Sequence, residues 1–208
     1  MRWRAFLCLV ACVGAWPAIV QGQSAPAFLQ MVAVGPEAGA PAPFDTRWSI
    51  FLDGDIDDGA AARLSNFLSR REIPGAIVFL NSSGGRLKPA MALGRVLRAQ
   101  GLDTRVGARA ADTGRVMPGV CYAACTFAFA GGVRRDLEGA SVLGVQRMDP
   151  GPQASDETAR ERRDRFEPLN YLAEMGIDAS LLELMAAVPY GAVRPLTPDE
   201  ARQLNLLH

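Results

Sequence analysis

Ala76-Ile77-Val78-Phe79-Leu80-Asn81-Ser82-Ser83-Gly84-Gly85 joins an unbroken apolar run to a polar turn that ends in paired glycines. The run follows Pro74-Gly75 and has the pattern of a strand buried on both faces, as in a parallel sheet. Beyond the turn, Leu87 to about Gln100 predicts a helix with Met91, Leu93, Val96 and Leu97 toward the core. Two glycines let the chain turn tightly and leave backbone N–H groups facing a cavity, where they can hold an oxyanion. A plain strand-to-helix turn is the other reading of the pentapeptide. It is not a phosphate loop, because Lys does not follow the glycines as that motif needs.

The same alternation extends in both directions. Ser49 to Leu52 reads as a strand closed by Asp53-Gly54, and Asp58 is placed to cap a helix with Ala60, Leu64, Phe67 and Leu68 inward. Leu102 to Val106 reads as a third strand, and two strand-helix-strand units in a row imply parallel pairing with right-handed crossovers. Downstream come a small-residue helix from about Ala123 to Gly131, a strand at Ser141 to Val145, a charged helix from about Asp156 to Met175, and the apolar segment Leu181 to Val188. Thr197-Pro198-Asp199-Glu200 is a capping box with Pro at the first helical position, opening a last helix. The fold class expected is α/β, a parallel sheet with flanking helices.

The chain has 208 residues, 49% hydrophobic and 21% charged, with 22 basic and 22 acidic side chains. Such a chain builds a core, and its zero net charge gives no counterion-release drive toward nucleic acid, so no nucleic-acid partner is expected. Lys88 is the only lysine and His208 the only histidine, so nearly every cation is a guanidinium that keeps its proton. General bases are scarce.

Arg2 and Arg4 precede an apolar run from Ala5 to Val20, with small residues at Gly22 and Ser24, which reads as an export signal over residues 1–22. That run is shorter than the ~20 residues that span a bilayer, so no transmembrane segment is expected in the mature chain. Leu9-Val10-Ala11-Cys12 also resembles a lipoprotein cleavage box, though the apolar stretch before Cys12 is short. Residues 23–46 are rich in Pro and Ala and read as a linker, although Phe28 to Val34 has the makings of a short strand. The folded domain is expected over 47–208, in the periplasm or outside the cell. Cys8 and Cys12 would leave with the signal, so Cys121 and Cys125 remain in an oxidising place. They form a local disulfide if Cys121 precedes the helix, and are two buried thiols otherwise. Zinc needs four ligands, which one terminal His cannot complete, so no metal is expected.

Two other motifs have bland readings. Asp53 to Gly59 imitates the opening of a calcium loop, but Asp58 stands where the loop needs Gly and Leu64 where it needs Glu, which leaves a solvated turn. The charge run from Asp156 to Glu167 reads as a solvated helix face.

Ile50 to Asp57, the Asn-Ser-Ser-Gly-Gly turn with its helix, and the Ala123 to Gly132 segment followed by Gly139 and Val142 to Met148 resemble the proteolytic subunit of Clp protease, within the crotonase superfamily. The chain also resembles exported relatives with a Cys-rich small-residue helix and a Gly-Gly-Val-Arg-Arg tail, here Gly131 to Arg135. The resemblance implies a spiral of ββα units and often a ring or trimer of subunits, hence a possible homo-oligomer. It places the family's oxyanion donor on the N–H of Gly84, with Gly85 shaping the turn and Ala124 beside it. It puts the nucleophile on Ala123, or on Tyr122 after a one-residue slip, the base on Gln146, and the orienting Asp near Pro189. None of these side chains does the family's chemistry.

The deficit is also visible without the family. Ser-His-Asp catalysis needs an imidazole beside the hydroxyl, and the only His is at the chain end. Lys88 follows the glycine turn rather than the nucleophile position and reads as a hydrated surface amine. The expectation is a non-catalytic module that takes an extended peptide or assembles with a protein partner, without cofactor. The alternative is a hydrolase with displaced residues, using Ser82, Ser83 or Cys125 with an Asp or Glu as base. Crotonase-like acyl-CoA chemistry is disfavoured by export, since that cofactor is cytosolic.

Overall fold

Alternate residues of the apolar run meet two different cores, which is why it shows no polar face. The computed structural model describes residues 28–36, 47–148 and 159–208. In chain order the elements are β1 (Gln30–Val34), β2 (Trp48–Asp53), α1 (Ala60–Arg71), β3 (Ala76–Asn81), α2 (Leu87–Ala99), β4 (Asp103–Val106), β5 (Ala108–Arg109), β6 (Val116–Met117) and β7 (Val120–Tyr122). There follow α3 (Ala124–Ala130), β8 (Arg135–Leu137), β9 (Val142–Gln146), α4 (Ala159–Met175), α5 (Ser180–Ala187), β10 (Val193–Pro195) and α6 (Pro198–Gln203). The leader at 1–22, most of the 23–46 linker, and the start of the charge run lie outside the described residues.

The main sheet runs β1-β2-β3-β4-β8, parallel throughout except for antiparallel β1. Val78 and Leu80 join Ile50 and Leu52 in the larger core, whereas Phe79 stacks on Phe51 at 4.9 Å in a smaller cluster with Ile77. Val34 and Val116 pack against that second cluster. This is the mixed α/β sheet with flanking helices that the sequence predicts.

The short strand that Phe28 to Val34 suggests is present inside the Pro- and Ala-rich stretch: residues 30–34 form an edge strand paired with Ser49 to Asp53. Side-chain anchoring outweighs the flanking prolines: Asp57 accepts from the Leu29 N–H at 3.3 Å while Arg63 reaches the Leu29 carbonyl at 3.4 Å. The cap of α1 differs from expectation. Gly59 is the N-cap, and its N–H donates to Asp57 Oδ1 at 2.8 Å, while Asp58 instead pairs with Arg86. Thr197 and Glu200 make the reciprocal capping box that the sequence predicts.

Helices α2 and α3 touch backbone to backbone. A Cβ on Gly131 would lie 2.2–2.5 Å from the Gly94 backbone, and one on Gly94 would collide with Tyr171 Oη. That hydroxyl donates to the Phe127 carbonyl at 2.6 Å, and burial pushes its pKa up. Two arginines close the far end of α3. Arg98 donates to the carbonyls of Ala130, Gly131 and Gly132, and buried Arg135 to those of Gly132, Asn205 and Leu206. Burial, then the nearby Arg98 charge, lowers Arg135 to about 10, and it stays protonated at neutral pH. Both cations sit where the helix dipole is negative.

Candidate functional site

The second sheet, β10-β9-β7, meets the first at one point, a bridge between Ser82 and Cys121. Ser82 N–H donates to the Val120 carbonyl at 2.7 Å, and Tyr122 N–H to the Ser82 carbonyl at 3.0 Å. Asn81 reinforces the junction, donating to Asp53 Oδ2 at 2.9 Å and accepting from the Val120 N–H at 3.0 Å. The glycine turn is thus carried against the β7–α3 connection, with the absent Cβ of Gly84 only 3.2 Å from Cβ of Ala123.

Ala123 sits at φ 53, ψ −118, a conformation that L residues avoid. A strained residue between a strand and a helix is the geometry that thrusts a nucleophile into a cleft. Its N–H donates to the Gly144 carbonyl at 3.2 Å, and Thr126 Oγ1 donates to the same carbonyl at 2.8 Å. The Cys121–Cys125 disulfide brackets it, joining β7 to α3 across a Cα–Cα distance of 5.2 Å. Cys121 precedes the helix, as a local bridge requires.

A cavity of about 220 Å³ opens here, lined by Gly85, Ala123, Ala124, Gln146, Arg147 and, on its apolar wall, Leu87, Phe127, Met148 and Met185. The structure therefore brings together Ala123, Ala124, Gln146 and Gly85, which are far apart in the chain. It leaves Pro189 apart, while Gly84 lies against Ala123 but directs its N–H elsewhere. The N–H of Gly84 donates to Ser82 Oγ at 3.1 Å and is not available, whereas among the described residues nothing accepts from the N–H of Gly85 or Ala124. Position Gly84 thus gives way to Gly85 as the open donor. Gly85 is held by a backbone bridge to Ile56, and at φ 123 only Gly fits, since a Cβ would meet Ile56 backbone atoms at 2.4–2.9 Å.

The residue across the ladder from Gln146 is Val193, four positions beyond Pro189. Pro189 lines a different, larger groove of about 590 Å³ with Leu184, Val188 and Ala192. Short strand β10 gives too few residues to show its period, and the apolar Val193 carried no chemical signal. Arg147, Met148 and Met185 were also missed, because helix α5 reaches the cleft only in three dimensions.

Among the described residues, no cleft-lining side chain is an acid, imidazole, hydroxyl or thiol. Ser82 is locked in its turn, exposed Ser83 donates to Asp55 at 3.1 Å away from the lining, and Cys125 is oxidised. Lys88 is exposed on the first turn of α2 and does not line the cleft. His208 lies beside Arg135 at the other end of α3, and burial followed by the Arg135 and Arg98 charges lowers its pKa. Among the described residues no group of three His, Cys, Asp or Glu is placed to hold a metal, and no helix is long and apolar enough to cross a membrane.

Two solved structures are similar to this chain in fold. One, a mutant of the 1510-N membrane-bound stomatin-specific protease, is 17% identical, with a TM-score of 0.50 over 77% of this chain and 75% of that one. The second, a mutant of ClpP1 from Listeria monocytogenes, is 14% identical, with a TM-score of 0.54 over 76% of this chain and 88% of that one. The fold is that of the Clp protease proteolytic subunit. No family model and no curated protein sequence matches the chain. The conformation of Ala123 costs about 1–3 kcal/mol, and its methyl group draws no benefit from it.

Proposed function

We propose that this protein is an exported, non-catalytic peptide-binding module on a Clp-protease-like scaffold, acting in the periplasm or outside the cell. The observation that carries the reading is the Ala123 elbow: the strained backbone bears only a methyl group, and among the described residues the cleft beside it offers donors but no side chain able to take a proton. Loss of base and nucleophile together removes several orders of magnitude of rate. The strand β9 supports peptide capture, because Arg147 and Met148 continue past the last ladder pair with no backbone partner among the described residues. An extended peptide takes such free backbone by strand addition. The Cys121–Cys125 disulfide fits an oxidising compartment.

The test is to titrate the purified protein into fluorescein-labelled extended peptides, follow anisotropy, and weigh the peptides after prolonged incubation. Saturable binding with intact peptide mass is expected. Cleaved peptide overturns the non-catalytic reading, and absence of binding overturns the module reading. Self-assembly is a second reading, supported by Tyr190, 81% exposed beside the groove that Pro189 lines, and is measured by sedimentation velocity.

A further inference from the structure

Among the described residues, every polar group that rims the cleft beside Ala123 is a donor or neutral. The N–H groups of Gly85 and Ala124 have no acceptor among the described residues, the Gln146 carboxamide has no described partner, and Arg147 brings a full positive charge. No described carboxylate pairs with Arg147, and none lines the cavity. Leu87, Phe127, Met148 and Met185 make the rest of the wall apolar. In a hydrolase, backbone donors of this kind face an oxyanion that exists only transiently. Here the base position holds an amide and a guanidinium follows it, so the same donors are suited to a permanent anion.

We infer that the cleft binds the free C-terminal carboxylate of a peptide ending in an apolar residue, with Arg147 as the charge partner and the apolar wall taking the last side chain. This rests on the peptide-binding reading and makes it specific. An internal peptide bond has no negative charge to meet Arg147, whereas a carboxylate accepts from Arg, amide and backbone N–H groups together, as capture of chain ends in backbone nests does. The cavity is small, about 220 Å³, which suits one terminal residue rather than a folded surface.

The experiment compares two fluorescein-labelled hexapeptides ending in Leu, one with a free carboxylate and one amidated, on the wild-type protein and on Arg147→Gln. Arg147 is exposed, so the variant is expected to fold, and circular dichroism checks this. The acid is expected to bind wild type about tenfold or more tighter than the amide, the worth of one charge-assisted hydrogen bond, and the gap is expected to close in Arg147→Gln. Equal affinity for acid and amide, or a gap that survives in Arg147→Gln, overturns the inference and leaves peptide binding standing. Failure of both peptides to bind overturns both. N-acetyl-leucine is the competitor: if it displaces the peptide at equal concentration, the site reads a small free carboxylate and the assignment to a peptide end is wrong.

Discussion

Gln146 and Val193 face each other across the β9–β10 ladder, one beside the strained Ala123 elbow and the other on the edge strand. Ser-His-Asp catalysis needs a base and an acid that orients it. This pair supplies a carboxamide and a hydrocarbon.

Rebuilding the relay therefore has a defined order. Ala123→Ser with Gln146→His is expected to give weak peptidase activity, and adding Val193→Asp is expected to raise kcat by about 100-fold or more, since the orienting acid of a triad is worth up to ~10⁴. Release of a fluorogenic acyl-peptide reports it. If the triple variant is no faster than the double one, Val193 is not the position of the third partner.

Gly85 and Gly75 make a paired test of the turn. Gly85→Ala puts a Cβ on Ile56 backbone atoms and forces a side chain to φ 123, so a loss of about 3 kcal/mol or more is expected in denaturant unfolding. Gly75→Ala meets no atom within 4 Å and is expected to stay within about 1 kcal/mol of wild type.

Asp57 ties β1 to α1 through two bonds to Arg63, at 2.7 and 2.6 Å. The Arg63 hydrogen bonds, opposed by burial and aided by the Gly59 and Leu29 N–H groups, hold its carboxyl well below the usual carboxylate range. Because the folded pKa lies below the unfolded value near 3.9, its stabilisation is full above about pH 5 and fades as pH falls through the folded value. Asp57→Asn should remove most of that acid-side slope and raise hydrogen exchange in residues 30–34. An unchanged slope would place the acid sensitivity elsewhere, for instance at Asp103, whose carboxylate pairs with Arg47 and Arg134.

The disulfide closes a very short loop, so reduction is expected to cost only about 2 kcal/mol on the loop-entropy scale. Cys121→Ala with Cys125→Ala should lower the denaturant midpoint accordingly and leave the secondary structure intact. Unfolding on reduction would show that the bridge holds the elbow against its strain.

Much of the fold was legible because its decisive signals are local. The apolar run at Ala76 to Leu80, the glycine pair and the Thr197 capping box each show their structure within a few residues. The three-residue strands β7, β8 and β10 are too short to show a period, and β1, legible as a short strand, is held by Asp57 and Arg63, a contact the sequence does not show. The roles given to Ala123, Gln146 and the Gly84 N–H came by resemblance, yet which glycine N–H is open depends on the Ser82 hydroxyl. The partner of Gln146 depends on a ladder register, and Arg147 gains meaning only from a cavity that α5 closes.

The most direct measurement is labelling of the folded purified protein with a fluorophosphonate, followed by intact mass and peptide mapping. The account predicts no stoichiometric adduct, in the native or the denatured state. One serine labelled stoichiometrically in the native protein and lost on denaturation would contradict it.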